Sequence, residues 1–193
     1  MSEPARRLAT YADLEAVPPN LVAEIINGAL VTHPRPAPRH GAAAGALGYE
    51  LTGPFQRGRG GPGGWVFIPE PELHLGPHVL VPDIAGWRRE RAPMMPTAAW
   101  IETIPDWACE VLSPSTEAYD RGAKRTLYAA HGLKHYWLLD PRTKVLEAFE
   151  ISNGKWLLLA TFSGDEMVAA APFAEVPFPL AALWPLDAPS LPA

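Results

Sequence analysis

The spacing of apolar positions predicts two longer helices. Within residues 41–55 apolar side chains recur every fourth residue, which is typical of a helix with one buried face. Gly45 and Gly48 weaken this helix, so we expect it to pack closely against a sheet rather than to face solvent. Residues 120–131 form the second predicted helix, which Gly132 ends in the left-handed conformation usual at that position.

Short apolar runs between turn residues predict most of the remaining structure as strands. Two hairpins are expected, at Asn27-Gly28 and at Asn153-Gly154. The runs at 78–87 and 106–112 are nearly continuous, as in strands covered on both faces. Further strands are predicted at 65–69, 72–75, 135–140, 144–150 and 155–162. This order predicts an α+β (α/β-like) fold with a mixed sheet and extra β-hairpins in the C-terminal part.

Length and composition favour one domain, residues 1–193, with a hydrophobic content of 48% that supplies a sizeable core. Proline is unusually frequent, with 23 in the chain. Six of these prolines lie in residues 171–193, which we therefore expect to form an extended, packed tail rather than a helix.

Several classes of protein are disfavoured by composition. A single cysteine, Cys109, excludes an internal disulfide and a zinc site built on several thiolates. The chain has no apolar run of membrane-spanning length and no secretion signal at its start, so a cytoplasmic location without membrane association is expected. The net charge of −5 argues against general nucleic-acid coating, although a local basic patch is compatible with it.

Acidic residues inside apolar strands are the most informative feature. Asp83 and Glu110 each interrupt an apolar run, and Glu24 does so in a third. Pro82 cannot donate to a sheet, which predicts an edge or a bulge beside Asp83. A buried carboxylate must be paired, protonated or bound to a metal, and converging carboxylates favour Mg²⁺ or Mn²⁺. The alternative is that each acid pairs with an arginine at a strand end.

Lys124 follows these acids on the second predicted helix. Asp120 lies four residues before it, on the same helix face. The pair could be a simple surface ion pair. Alternatively, Lys124 reaches back towards the Glu110 strand, where it would orient a water molecule or stabilise charge on phosphorus.

Three segments, VPDIAGW, CEVLSPST and YDRGAKRTLYAAHGLKHYWLLDP, resemble the Uma-two family of restriction endonucleases within the PD-(D/E)XK nuclease superfamily. The AEIINGALV and PAPRH segments are similar to N-terminal motifs of the same family. The resemblance covers residues 11–140. It implies a restriction-endonuclease-like core, with a central mixed sheet flanked by helices, and a divalent-metal phosphodiesterase site.

The resemblance also implies roles for individual residues. Asp83 matches the aspartate of the first half-motif and Glu110 the acid of the second, so both are expected to hold the metal. The superfamily places a lysine two residues after that acid, but Leu112 stands there. We therefore assign the lysine role to Lys124. His40 matches a family position, which implies a place beside the site; the alternative is a helix-end histidine without chemistry.

Basic residues near these motifs are the candidate phosphate contacts. Arg88 and Arg89 follow the Asp83 strand, and Arg121 and Arg125 flank Lys124. A solvated charged rim explains the same residues equally well.

The function that these features predict is a Mg²⁺- or Mn²⁺-dependent endonuclease that hydrolyses phosphodiester bonds in DNA. Asp83, Glu110 and Lys124 would be catalytic, with Glu24, His40 and Asp120 supporting them. The alternative is a non-catalytic member that binds nucleic acid or protein. The sequence leaves DNA or RNA as substrate open. A homodimer is also expected, because Trp137, Trp156, Phe162 and Trp184 supply more aromatic surface than a small sheet needs.

Overall fold

The computed structural model describes residues 7–92, 96–185 and 187, in a mixed order of helices and strands. The helices are α1 (Tyr11–Glu15), α2 (Pro38–Leu51), α3 (Glu117–Tyr119) and α4 (Arg125–Ala130). A π-helical turn, Thr52–Gln56, follows α2, and a second one, Asp120–Lys124, connects α3 to α4. Residues Leu180–Leu183 form a 3-10 turn. The strands are β1 (Leu21–Ile26), β2 (Ala29–Pro34), β3 (Trp65–Pro69), β4 (Glu72–Leu75), β5 (His78–Leu80), β6 (Ile84–Arg88), β7 (Trp100–Ile101), β8 (Trp107–Val111), β9 (His135–Asp140), β10 (Val145–Ser152), β11 (Lys155–Phe162), β12 (Met167–Val168) and β13 (Phe178–Pro179).

A six-stranded sheet in the order β11-β10-β9-β8-β6-β3 forms the centre of the molecule. Strands β8 and β9 pair in parallel and the other neighbours are antiparallel, so the sheet is mixed as predicted. Every residue of β8 is buried. Both hairpins predicted from Asn-Gly pairs are present, with Asn27 and Asn153 at positive φ.

Two apolar layers cover the faces of this sheet. Residues Ala43, Leu47 and Leu51 of α2 pack on one face, together with side chains from the C-terminal segment. On the other face lie α4 and the smaller sheet, whose strands run in the order β2-β1-β5-β4-β7. Because side chains alternate along a strand, Cys109 faces the α2 layer while Glu110 faces the layer of α4 and the smaller sheet.

The apolar run at 78–87 is two strands rather than one. The chain leaves the smaller sheet after β5, passes Pro82 and enters the six-stranded sheet as β6. The prediction of a sheet edge or bulge at Pro82 was therefore wrong: β6 lies between β8 and β3. Since proline has no N–H to donate, it fits the crossing between the two sheets. The crossing leaves Asp83 where the sheets meet.

The glycines of α2 do not serve the close packing that the sequence suggested. A Cβ atom placed on Gly45 or Gly48 would meet no other atom within 4 Å. Both glycines therefore face open space, while Ala43 and Leu47 make the contact with the sheet.

The proline-rich C-terminal segment packs against the core as predicted, through buried Phe173, Phe178 and Leu180. The 3-10 turn at Leu180–Leu183 is a departure from the expected extended chain, and residues 186 and 188–193 lie outside the described part. The aromatic residues expected at a dimer surface belong to the interior: Trp137 and Trp184 are buried, and Trp156 and Phe162 pack against the core.

Candidate active site

A cavity of about 200 Å³ opens where the two sheets meet. It is lined by the end of β8, the crossing before β6, strand β1, the start of α2 and the π-helical turn Asp120–Lys124. It brings together every residue predicted to be catalytic or supporting: Glu24, His40, Asp83, Glu110, Asp120 and Lys124. Their convergence from five separate segments makes this cavity the candidate site.

Asp83 is held at the start of β6 by the neighbouring strand. Ile84 pairs with Cys109 in the antiparallel register, so Asp83 lies beside the end of β8. Its Oδ2 accepts a hydrogen bond from the Val111 N–H at 2.7 Å, and its Oδ1 lies 3.3 Å from Nε2 of His40. Burial would lower the pKa of His40, but the hydrogen bond and charge of Asp83 outweigh burial and raise it.

Glu110 lies on the cavity side of β8, where two buried groups share one of its oxygens. Lys124 Nζ is 2.8 Å from Oε1 of Glu110, and the Tyr128 hydroxyl donates to the same oxygen at 2.9 Å. Asp120, Lys124 and Tyr128 follow each other at intervals of four residues. That spacing directs all three towards β8 across the π-helical turn and α4.

Lys124 also contacts two further acids. Its Nζ lies 3.0 Å from Oε1 of Glu24 and 3.5 Å from Oδ1 of Asp120, and its side chain is only 3% exposed. Glu24 is fixed in turn by the Val81 N–H, which donates to its Oε1 at 2.7 Å. One lysine therefore connects β1, β8 and the π-helical turn.

The concentration of acids shifts their pKa values. Burial, followed by the charges of Asp120, Asp83 and Glu24, raises the pKa of Glu110 well above its usual range despite the opposing effect of Lys124. Burial likewise raises the pKa of Asp120. Burial also opposes ionisation of Glu24, but Lys124, His33 and the Val81 N–H outweigh it and lower its pKa. Burial would lower the pKa of Lys124, yet the surrounding carboxylates raise it well above its usual range, so the amine stays protonated.

The donor set fits a hydrated divalent cation rather than a metal enclosed by protein ligands. Within residues 7–92, 96–185 and 187, no three His, Cys, Asp or Glu side chains form a ready metal cage. The cavity lining nevertheless carries five carboxylates against two permanent cations, Arg35 and Lys124. Mg²⁺ is commonly held by one or two carboxylates and keeps several waters. Asp83 and Glu110 could supply such a pair, and a cation there would offset the surplus negative charge.

The four arginines predicted to contact DNA do not line the cavity. At the far end of β6, Arg88 lies over the Trp65 ring at 4.2 Å and Arg89 donates to the Trp65 carbonyl at 3.4 Å. Arg121 pairs with Glu117 and Glu147, and Arg125 lies over the Phe149 ring. All four are engaged by neighbouring side chains or backbone, so a DNA contact from any of them remains a prediction.

Sequence reasoning missed Tyr128, Arg35 and the polar segment after β8. The four-residue spacing from Lys124 could have identified Tyr128, whereas Arg35 enters the cavity lining only through the path of the β2–α2 connection. The Ser113 hydroxyl bonds to the hydroxyls of Ser115 and Thr116 at 3.0 Å. Thr116 precedes α3 without a side-chain capping bond. These hydroxyls therefore line the cavity rather than satisfy a helix end.

Comparison with known proteins identifies the family of this chain. A sequence model of the Uma2 family, described as "Putative restriction endonuclease", matches residues 8–181. The chain belongs to the Uma2 family. This confirms the family suggested by its motifs, and places the chain among nuclease-like proteins.

Two individual proteins are similar to this Uma2 member. Uncharacterized protein slr1290 of Synechocystis sp. is 42% identical over 67 residues, which cover 34% of this chain and 35% of that protein. A crystal structure of "a putative nuclease belonging to DUF820" from Anabaena variabilis matches with a TM-score of 0.74 at 22% identity, over 91% of this chain and 97% of that one. The structural match confirms the predicted fold class.

Among the helices that the structure describes, none is long and apolar enough to cross a membrane.

Proposed function

We propose that this Uma2 protein is a metal-dependent endonuclease that hydrolyses phosphodiester bonds in DNA in the cytoplasm. The observation that carries the proposal is the surplus of carboxylates around Asp83 and Glu110, in a cavity with one buried lysine. A structural ion-pair network has enough cations to match its acids, whereas here Lys124 is shared by three carboxylates. A divalent cation and a phosphate substrate would account for that imbalance.

Asp83 and Glu110 would hold Mg²⁺ or Mn²⁺. A divalent ion held there would supply an activated water molecule and neutralise charge on the scissile phosphate. The Val111 N–H and His40 fix the two oxygens of Asp83, and Lys124 and Tyr128 fix Oε1 of Glu110. These neighbours orient the carboxylates before metal arrives.

Lys124 would act as a fixed positive charge rather than as a base. Its raised pKa keeps the amine protonated, so it cannot accept a proton from water. It would position Glu110 and stabilise negative charge that develops on the phosphate. Glu24 and Asp120 hold this amine in place from two other segments.

A cleavage assay with labelled single- and double-stranded DNA tests the proposal. Product should form with Mg²⁺ or Mn²⁺ and not with EDTA. Asp83→Asn and Glu110→Gln should each reduce the rate by about 1,000-fold or more. Asp165→Asn, at an exposed turn away from the cavity, is the matched control and should cleave normally. Metal-independent product, or full activity in Asp83→Asn, would refute the proposal, and metal binding without cleavage would favour a non-catalytic binding role.

We also propose a homodimer, supported by a surface other than the one inferred from the sequence. Strand β11 is an edge of the six-stranded sheet, and its Leu157, Leu158 and Leu159 are 55%, 48% and 39% exposed. An exposed apolar edge strand tends to pair with another strand, and two copies of β11 can pair antiparallel about a two-fold axis. Light scattering at micromolar concentration should give a dimer that Leu158→Lys converts to monomer. A monomeric wild-type protein would contradict this.

A further inference from the structure

We propose that the glycine-bearing face of α2 binds a single-stranded segment of DNA and leads it into the cavity. This inference rests on the proposed function, since it names the form of substrate that the site receives. We call this face of α2 the α2 groove. Its floor is formed by Gly41, Gly45 and Gly48, and its far end by Tyr49, Arg57 and Arg59.

The α2 groove is continuous with the candidate active site. It consists of two adjoining hollows of about 670 and 690 Å³, which share Gly45, Gly48 and Thr52. The nearer hollow also shares His40 and Asp83 with the cavity. A strand lying in the groove would therefore reach the carboxylates without crossing any other element.

The glycines of the groove are not explained by packing. Added Cβ atoms at Gly41, Gly45 and Gly48 would contact nothing within 4 Å. Glycine inside a helix is destabilising relative to alanine, so three of them weaken α2 without improving its contact with the sheet. What they do provide is backbone that a ligand can approach closely.

His40 supplies an independent sign that a ligand belongs at the junction of groove and cavity. Its side chain is only 10% exposed, and its Nδ1 is buried without a hydrogen-bond partner among the described residues. Buried polar atoms are nearly always satisfied, by protein or by bound molecules. A sugar or phosphate oxygen at the mouth of the cavity would be a suitable partner.

The far end of the groove carries groups suited to a nucleic-acid strand. Arg57 and Arg59 form no ion pair with any described residue, and Glu50 is the acid that shares their hollow. Two backbone hydrogen bonds hold the loop that bears Arg59. The Arg59 N–H donates to the Gly53 carbonyl at 2.9 Å, and the Gly63 N–H donates to the Pro54 carbonyl at 2.9 Å. Tyr49 is 80% exposed, which is unusual for an aromatic side chain. Arginines beside an exposed aromatic ring are typical of single-strand binding surfaces.

The dimensions and charge favour one strand over a duplex. From His40 to Thr52 the helix rises about 18 Å, which is the length of about five stacked nucleotides. Stacking on Tyr49 needs an unpaired base. Two arginines on a chain with a net charge of −5 would also neutralise few of the phosphates that a duplex presents.

Binding of a fluorescein-labelled 15-nucleotide DNA strand, measured by anisotropy in EDTA, tests the inference without cleavage. The wild-type protein should bind this strand more tightly than the matching duplex or RNA strand. Gly48→Leu should weaken binding by about tenfold or more because its side chain fills the groove. Gly48→Ala is the graded comparison: its single methyl group should weaken binding less than the leucine side chain does, while the helix melts at a higher temperature.

Two further variants examine the far end of the groove. Tyr49→Ala should weaken binding by about 5- to 150-fold, as expected for a lost base stack. Arg57→Glu should weaken binding and reduce its dependence on salt. Unchanged binding in Gly48→Leu and Tyr49→Ala, or a preference for duplex or RNA, would overturn the inference.

The outcomes separate this inference from the proposed function. If groove variants bind normally while Asp83→Asn loses metal-dependent cleavage, the groove inference fails and the nuclease proposal stands. If the wild type neither binds Mn²⁺ nor cleaves, yet groove variants lose strand binding, the nuclease proposal fails and the groove inference stands.

Discussion

The two ends of strand β8 each carry a buried carboxylate, and the surroundings of the two differ. Asp106, directly before the strand, is 3% exposed, and its Oδ1 lies 2.6 Å from Arg91 and 3.6 Å from Lys134. Its Oδ2 accepts the Arg88 N–H at 2.9 Å. Glu110, near the other end, has one cationic neighbour among the residues that the structure describes: Lys124, which it shares with two other acids.

The comparison shows why burial of an acid does not by itself identify a functional site. Asp106 has two cationic partners for its one negative charge, and it joins a loop to the sheet. It therefore fits the alternative in which a buried acid pairs with an arginine at a strand end. Glu110 lies in a cavity whose acids outnumber its cations. The excess of negative charge, rather than burial, is what makes the Glu110 end a candidate for metal binding.

Removing the lysine beside each buried acid should change the free energy of unfolding most. The loss should also differ most between the Glu110 end and the Asp106 end of β8. Lys124→Met removes the lysine that three buried carboxylates share, so we expect the free energy of unfolding to fall by about 3–5 kcal/mol. Lys134→Met removes a lysine that is 60% exposed and 3.6 Å from Asp106, and should cost no more than about 1 kcal/mol. Urea denaturation of both variants measures the difference. Equal losses of unfolding free energy in the two variants would contradict this difference between the Glu110 and Asp106 ends.

Replacing each acid by its amide should have the opposite pattern, with a larger loss of stability at the Asp106 end than at the Glu110 end. Asp106→Asn weakens the bonds to Arg91 and the Arg88 N–H, and should cost about 1–3 kcal/mol. Glu110→Gln keeps an oxygen that can accept from Lys124 and Tyr128 while it removes surplus charge. Its metal-free stability should therefore equal or slightly exceed that of the wild type. Thermal melts in EDTA decide this, and a large drop in Glu110→Gln would argue for a purely structural acid.

Asp83→Asn should behave like Glu110→Gln, with a smaller effect on stability. The Asn oxygen can still accept the Val111 N–H, and the substitution removes one of the charges that raise the pKa of Glu110. We expect a metal-free melting temperature within a few degrees of the wild type or above it. A loss comparable to that of Asp106→Asn would contradict the proposed metal site.

The smallest expected effect is a pH dependence confined to the Glu110 end. The folded state raises the pKa of Glu110 above its ordinary value of 4.5, so its contribution to stability is present below that pH and is lost as pH rises through the raised pKa. Metal-free wild type should lose stability relative to Glu110→Gln as pH rises above 4.5 and through the raised pKa of Glu110. Parallel curves for the two proteins would show that Glu110 ionises normally.

Much of the fold could be predicted because its signals are local. Asn153-Gly154 specifies a hairpin turn, and the four-residue apolar spacing within residues 41–55 specifies the buried face of α2. Asp83 and Glu110 could be identified because a carboxylate inside an apolar run is conspicuous. Their approach to each other follows from the antiparallel pairing of β6 with β8.

The remaining features depend on contacts between distant segments. Nothing local shows that the chain changes sheets at Pro82, or that Asp106 meets Arg91 from a loop 15 residues away. The π-helical turn Asp120–Lys124 has no periodicity in the sequence that would distinguish it from an α-helix. Arg88 and Arg89 follow Asp83 closely in the sequence, but strand β6 places them at its opposite end.

The central claim is that Asp83 and Glu110 hold a divalent cation, and a crystal soaked in Mn²⁺ tests it most directly. Anomalous scattering recorded near the manganese edge should give a peak between the two carboxylates in the wild type and no peak there in Asp83→Asn. The contradicting result is a wild-type crystal in which Mn²⁺ binds elsewhere, with Glu110 still bonded to Lys124 and Asp83 to His40.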